Sequence, residues 1–354
     1  MKGQERRYAI WIATLLIWGL TTDRGWAQEV YRLGEEDQWV HEAAPAPDSP
    51  AAQLSQVRVL LAQGRHDRAL NMANRWLKRH PTSPLLPEAY LARADALIGV
   101  GDEYESLYDL EFVVRKYPGS PVFTIALERE FDVAVKYAHG LRRKFLGLRL
   151  IDATDEAEEI LIRIQERLPG SGLAERAGLE LADLYFRDRR MGLAADAYAI
   201  FIENFPRSTE LGFARRRLIY ANIATYKGPE FNIVGLLEAK AELEQLAIRR
   251  PAEAERIGAA ALIHRVEECE SQKLLVTAEW YINEADPIAA EYTIRKLIQT
   301  FPRSAASRAA LRRIPSLLKQ LPETVLETTP DYELLRATLL KREPLAEATE
   351  DDAP

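Results

Sequence analysis

The sequence predicts an all-α fold: helical hairpins stacked side by side into a right-handed solenoid. Three observations predict it. Six prolines, at 81, 118, 169, 206, 251 and 302, recur at separations of 37, 51, 37, 45 and 51 residues. Each follows a segment whose apolar residues recur at helical spacing. No convincing stretch alternates apolar and polar residues as a half-buried strand would.

The first residues have a layout of their own. Lys2, Arg6 and Arg7 precede an apolar run at 8–20, then Gly25 and Ala27 flank Trp26. That is the layout of a secretory leader, with cleavage expected after Ala27. The run is 13 residues long, short of the roughly 20 a spanning helix needs; an uncleaved inner-membrane anchor is the rival reading. Removing residues 1–27 changes the net charge from −7 to −9. An acidic chain without a basic, aromatic-rich tract disfavours a nucleic-acid partner. Residues 28–50 are expected to be a flexible linker, since "EAAPAPDSPAA" (42–52) is Pro- and Ala-rich with no periodic face.

Residues 51–321 carry the solenoid. Twelve residues before the prolines stand Ala69, Ser106, Ala157, Ala194, Ala239 and Ala290, all small. Eight before stand Ala73, Leu110, Leu161, Tyr198, Leu243 and Ile294; five before stand Trp76, Val113, Ile164, Phe201, Leu246 and Leu297. Offsets of four and three put these on one face of a helix, and the small residue admits a second helix closely. Proline then ends the helix, since it has no amide hydrogen and its ring clashes with the preceding turn. Two residues on comes serine in five units and Glu253 in the other. The serine is expected to cap the next helix, with Pro84 and Pro121 at the first helical position.

An upstream helix pairs with each of these, most clearly at 173–186. There Leu181, Ala182 and Tyr185 precede Ala194, Tyr198 and Pro206. That order resembles the tetratricopeptide repeat. Ala278, Tyr281, Ala290, Ile294 and Pro302 match it fairly. The match is weakest at 227–251, where Gly228-Pro229 breaks the chain. The two spacings of 51 exceed 37 by 14 residues, about four helical turns. They predict longer first helices, or an extra short one, at 128–150 and 252–270. Residues 322–354 are expected to form a short helix and an acidic disordered tail from 343.

The chemistry-bearing motifs are missing. No phosphate-binding loop, dinucleotide fingerprint, zinc-protease motif, nucleophile elbow or paired C-x-x-C occurs. The five histidines are dispersed, and His80 before Pro81 reads as a packing or capping residue. Cys269 is the sole cysteine and reads as a small core residue. The acidic run "DATDEAEE" at 152–159 lacks the glycine of a calcium loop; its carboxylates suit a helix start. Arg215, Arg216 and Arg217 read as a solvated helix face, with an acidic partner as the sharper reading. No catalytic residue, metal or cofactor is expected.

What remains is surface. Stacked hairpins leave a concave groove lined by their first helices. Aligned on the prolines, the groove receives Glu88, Leu91 and Asp95; then Arg176, Leu179, Asp183, Phe186 and Arg187; then Gln272, Leu275 and Glu279. A peptide laid there would meet apolar anchors beside charges.

The units at 106–121, 194–208 and 278–311, with their "YPGS" and "FPRS" joints, resemble the BamD (YfiO) outer-membrane assembly lipoproteins. The likeness spans most of residues 50–320. It implies a periplasmic scaffold bound to the β-barrel assembly machinery and helping nascent outer-membrane proteins insert. Family members carry a cysteine just after the signal, where lipid attaches; here residues 21–28 are "TTDRGWAQ", so no lipid anchor is expected. The alternatives are an adaptor for cell-envelope division or peptidoglycan machinery, and a wall-cleaving glycosidase on a helical superhelix. The last would need an appended domain that the sequence does not leave room for.

Overall fold

The computed structural model describes residues 30–33, 39–42, 46 and 48–340. The expected leader and the acidic tail lie outside them. The described residues form sixteen helices and two antiparallel hairpins. They divide into two compact units, 1–126 and 127–354.

In the first unit, β1 (Val30–Leu33) pairs with β2 (Trp39–Glu42). The sequence suggested a linker there, but Val30, Tyr31, Trp39 and Val40 are strand-favouring residues. Then follow α1 (Pro50–Ala62), α2 (His66–Arg79), α3 (Leu86–Gly99) and α4 (Glu103–Lys116). Their core gathers Leu54, Val57, Trp76, Ala89 and Ala92. Trp76 donates its indole N–H to the Pro50 carbonyl at 2.8 Å, so the one polar atom of a buried ring is satisfied. Arg93 forks onto Asp109 at 2.7 and 2.5 Å, tying α3 to α4.

Helix α5 (Phe123–Ala138) straddles the unit boundary. The second unit continues with β3 (Arg143–Phe145), β4 (Leu148–Ile151), α6 (Thr154–Arg167), α7 (Gly172–Arg187), α8 (Met191–Asn204) and α9 (Leu211–Ala224). Beyond these come α10 (Val234–Arg249), α11 (Pro251–Arg256), α12 (Ala259–Asn283), α13 (Pro287–Thr300), α14 (Ala305–Leu318), α15 (Glu323–Leu326) and α16 (Tyr332–Leu340). Successive helices from α6 to α10 pack against one another, as do α12 and α13.

All six prolines of the register stand just past a helix. The residues before them, His80, Tyr117, Leu168, Phe205, Arg250 and Phe301, are the C-caps of α2, α4, α6, α8, α10 and α13. Their φ values run from −125° to −143° and their ψ values from 54° to 67°. Proline pushes the residue ahead of it out of the helical region, and five different side-chain types at six caps take one geometry. Each cap amide still bonds the carbonyl four residues back. The small residues of the register and the apolar ones eight before proline are buried throughout. Of those five before, only Leu246 keeps partial exposure. His80 packs on Trp76, ring centres 4.9 Å apart.

The serines divide. Ser171 and Ser304 cap α7 and α14, each accepting an amide at 3.1 Å. Ser83, Ser120 and Ser208 instead accept from the residue two further on, inside the turn. There the helix starts later, so Pro84 and Pro121 lie in the turn, and Pro87 takes the first-turn position in α3.

The two long spacings resolve differently. At 252–270 both expected devices occur: short α11, and α12 of 25 residues. At 128–150 there is no extra helix; α5 ends at Ala138 and the β3–β4 hairpin fills the interval. Gly140 and Gly147, with φ of 92° and 81°, supply backbone conformations that a helix does not use.

Glu253 replaces the joint serine and works as an ion-pair partner. It accepts from Arg216 at 2.6 Å and Arg250 at 3.4 Å. The Arg216 hydrogen bond, chiefly, holds its carboxyl below the ordinary range. A depressed carboxylate contributes stability above its unfolded pKa and loses it as pH falls through the folded value. Glu253→Gln is therefore expected to lower Tm at pH 7 and to match the parent chain in acid, by thermal melts across pH 2–7. A difference that persists undiminished in acid would refute the ionic role.

Candidate protein-binding face

The first helices of the second unit carry a ladder of arginines on aromatic rings. On α7, Arg176 lies over Phe131 of α5, 4.3 Å from guanidinium carbon to ring centre. Arg217 of α9 lies over Phe186 of α7 at 4.5 Å and over Phe213 of its own helix at 5.2 Å. The flat, weakly hydrated guanidinium stacks where an ammonium would not. Each such contact contributes on the order of 0.5–1 kcal/mol where it stays partly wet.

Hydrogen bonds fix the rest. Asp183 of α7 accepts the hydroxyl of Tyr198 of α8. Burial first, then that carboxylate, push the Tyr198 hydroxyl far above its ordinary range, so it stays a donor. Arg187 donates to Glu180 at 2.9 Å and to the Ala138 carbonyl at 3.2 Å, closing the end of α5 onto α7. His139 Nε2 stands 3.2 Å from Glu180.

The α7 residues expected in a groove thus share one neighbourhood. Arg176 and Arg187 are exposed, while Leu179, Asp183 and Phe186 are half-buried. The α12 residues behave otherwise. Gln272 is exposed, Leu275 is buried in the C-terminal core, and Glu279 is paired with Arg313 of α14. In the first unit, Leu91 is buried, and Glu88 and Asp95 are half-buried. Leu91 and Leu275 are therefore packing residues: three- and four-residue offsets name a helix face without saying how deeply it is covered.

Sequence reasoning missed Phe131 and Phe213. Phe213 was within reach, seven residues past Pro206, as Arg176 is past Pro169 and Glu88 past Pro81. Arg217 reads in the sequence as one of a basic run, a solvated face or a contact for an acidic partner. Its neighbours qualify the solvated reading: Arg216 pairs with Glu253, and all three arginines are half-buried. The acidic run opens α6 as expected, with Asp155 and Glu156 in the first turn. Its carboxylates are engaged with arginines, Glu156 with Arg143 at 2.9 Å and Glu158 with Arg190 at 2.6 Å. Among the described residues, no three His, Cys, Asp or Glu side chains converge as a metal site would. The face offers stacked rings and guanidinium edges, groups suited to carboxylates and apolar side chains of a peptide.

Repeated hairpins closed by proline joints define a tetratricopeptide-type helical scaffold. The model of the YfiO family, described as outer membrane lipoprotein, matches residues 152–330, about half the chain, and the chain belongs to that family. Among solved structures it is similar to a thermophilic TPR protein of Thermus thermophilus. That likeness has 18% identity and a TM-score of 0.28, and covers 61% of this chain and 99% of the other. It is also similar to the P58(IPK) TPR domain, with 17% identity, a TM-score of 0.27 and coverage of 82% and 83%. No curated protein matches it.

Proposed function

We propose that this protein is an exported, non-catalytic scaffold that docks protein segments on its α5–α7–α9 face and serves outer-membrane β-barrel assembly in the periplasm. The observation that carries the docking surface is Arg217, stacked on Phe186 and Phe213 while still half-buried rather than enclosed. Aromatic and arginine side chains dominate the binding energy of protein interfaces. Membership of an outer membrane lipoprotein family supports the setting, and the leader-like residues 1–27 support export. No helix among the described residues is long and apolar enough to cross a membrane.

The partner is a protein segment carrying carboxylates beside apolar side chains. Pull-downs from envelope extracts, with the parent chain and with Phe186→Ala/Arg217→Ala, test the reading. The parent is expected to recover β-barrel assembly components and the double variant about tenfold less. Recovery of division or peptidoglycan proteins instead would reassign the scaffold. Equal recovery by both chains would remove the face from the account.

A further inference from the structure

The β3–β4 hairpin has an apolar tip above a cationic base. Phe145 stands opposite Leu148 across the strands, with Leu146 and Gly147 as the two turn residues. Leu150 follows on β4, the extra residue where the register shifts between Arg143 and Lys144, and with Phe145 and Leu148 it faces solvent. All three are more than half exposed, and Leu146 is 87% exposed. Behind them Lys144 stands opposite Arg149, and Arg142 and Arg143 precede the first strand's end. Residues 140–151 hold four cations, and Asp152 follows at once, close to Arg142. Arg143 is held by Glu156, and Arg149 donates to the Arg142 carbonyl at 2.9 Å, which keeps both guanidinium groups beside the hairpin.

The tip works against the stability of the turn that carries it. Leu146 and Gly147 have φ of 50° and 81°, the two positive values of a tight hairpin turn. That turn favours asparagine or aspartate before glycine, because the Cβ of other residues crowds the backbone there. Leucine at this place is both crowded and in water. A polar residue would relieve both burdens, and a run of exposed apolar side chains marks a contact surface.

The placement distinguishes two candidate occupants. A strand from another protein would be read along a hairpin edge, with apolar pockets spaced on alternate residues. Here the apolar groups gather at the end and the cations sit a few residues behind. That order fits entry end-on into a bilayer interface, with apolar groups at the acyl boundary and long basic side chains reaching phosphate. Charge points the same way. The chain as a whole carries −7 and is repelled by an anionic surface; the hairpin itself carries four cations, one of them paired with Glu156, with the carboxylates of 152–159 directly behind it.

We infer that the 143–151 hairpin docks this protein reversibly on an anionic lipid surface, with Phe145, Leu146 and Leu148 entering the interface. The contact adds to the protein-docking reading and does not depend on it.

The full chain with Cys269→Ser and Leu146→Cys, carrying an environment-sensitive dye at 146, reads the tip itself. It is mixed with vesicles of phosphatidylcholine alone or with about one-third phosphatidylglycerol. The dye is expected to brighten and shift to the blue on the anionic vesicles. Each cation near such a surface strengthens binding about fivefold, so Arg142→Glu/Lys144→Glu is expected to weaken it tenfold or more. Phe145→Ser/Leu148→Ser is expected to weaken it by a similar factor, with helical circular dichroism unchanged because these side chains are exposed. A dye that stays aqueous on both vesicles overturns the inference. So does a dye that responds only to added envelope protein, which would mark a protein partner.

Discussion

Phe201→Ala is expected to destabilise the second unit by about 3–5 kcal/mol, the range for emptying a buried aromatic site. The ring is 1% exposed and lies five residues before a joint proline, at the bottom of α8. Gly178 of α7 lies beside the ring: a Cβ built there would be in ordinary contact with Phe201 at 3.6 Å and would crowd only the Gln165 side chain, at 2.9 Å. Phe205, the C-cap, packs on it with ring centres 5.5 Å apart. Truncation therefore opens a cavity between two helices and loosens the corner that redirects the chain. The same substitution at exposed Tyr108 should cost well under 1 kcal/mol. Urea unfolding followed by helical circular dichroism gives both values. A small loss at Phe201 would mean that the joint register describes a sequence habit and not the core.

Glu291→Ala is expected to cost about 3 kcal/mol and to release the C-terminal helix. Glu291 is 1% exposed on α13. It accepts from Arg295 at 3.0 and 2.6 Å and from the Tyr332 hydroxyl of α16 at 2.6 Å. Burial first, then the carboxylate, push the Tyr332 hydroxyl far above its ordinary range, so it remains a donor to Glu291. Removing the carboxylate strands a buried hydroxyl and half of an ion pair. Arg295 keeps a quarter of its side chain in solvent, which limits the loss. Glu291→Gln retains one acceptor and should cost nearer 1 kcal/mol. Hydrogen exchange over residues 332–340 should quicken strongly in the alanine variant and modestly in the glutamine one. Unchanged exchange there would show that α16 is held by apolar packing alone.

Much of this architecture was legible because its determinants are local. Proline acts on the residue before it and on the turn before that. Ala157, Leu161 and Ile164 therefore disclose one helix end from a dozen letters, and Leu168 takes the cap geometry on schedule. The small residue was legible for a related reason: close helix approach tolerates little else. What stayed hidden depends on partners distant in sequence. Tyr332 meets Glu291 across 41 residues, and no periodicity announces that pairing. Arg217 reads as one letter of a basic run until Phe186 is brought beneath it. Leu91 and Leu275 have the right helical phase, but phase does not report how much of a face its neighbours cover. The β3–β4 hairpin escaped notice because its strands are three and four residues long. Its alternation is broken by consecutive basic residues at the start.

The docking face is tested most directly in intact cells. A photoreactive residue placed at Arg176, on the ladder, is compared with one at Ile200, exposed on α8. Protein crosslinks are expected from position 176, lost on adding Phe186→Ala/Arg217→Ala, and few from 200. Crosslinks concentrated at 200 and absent from 176 would contradict the docking face.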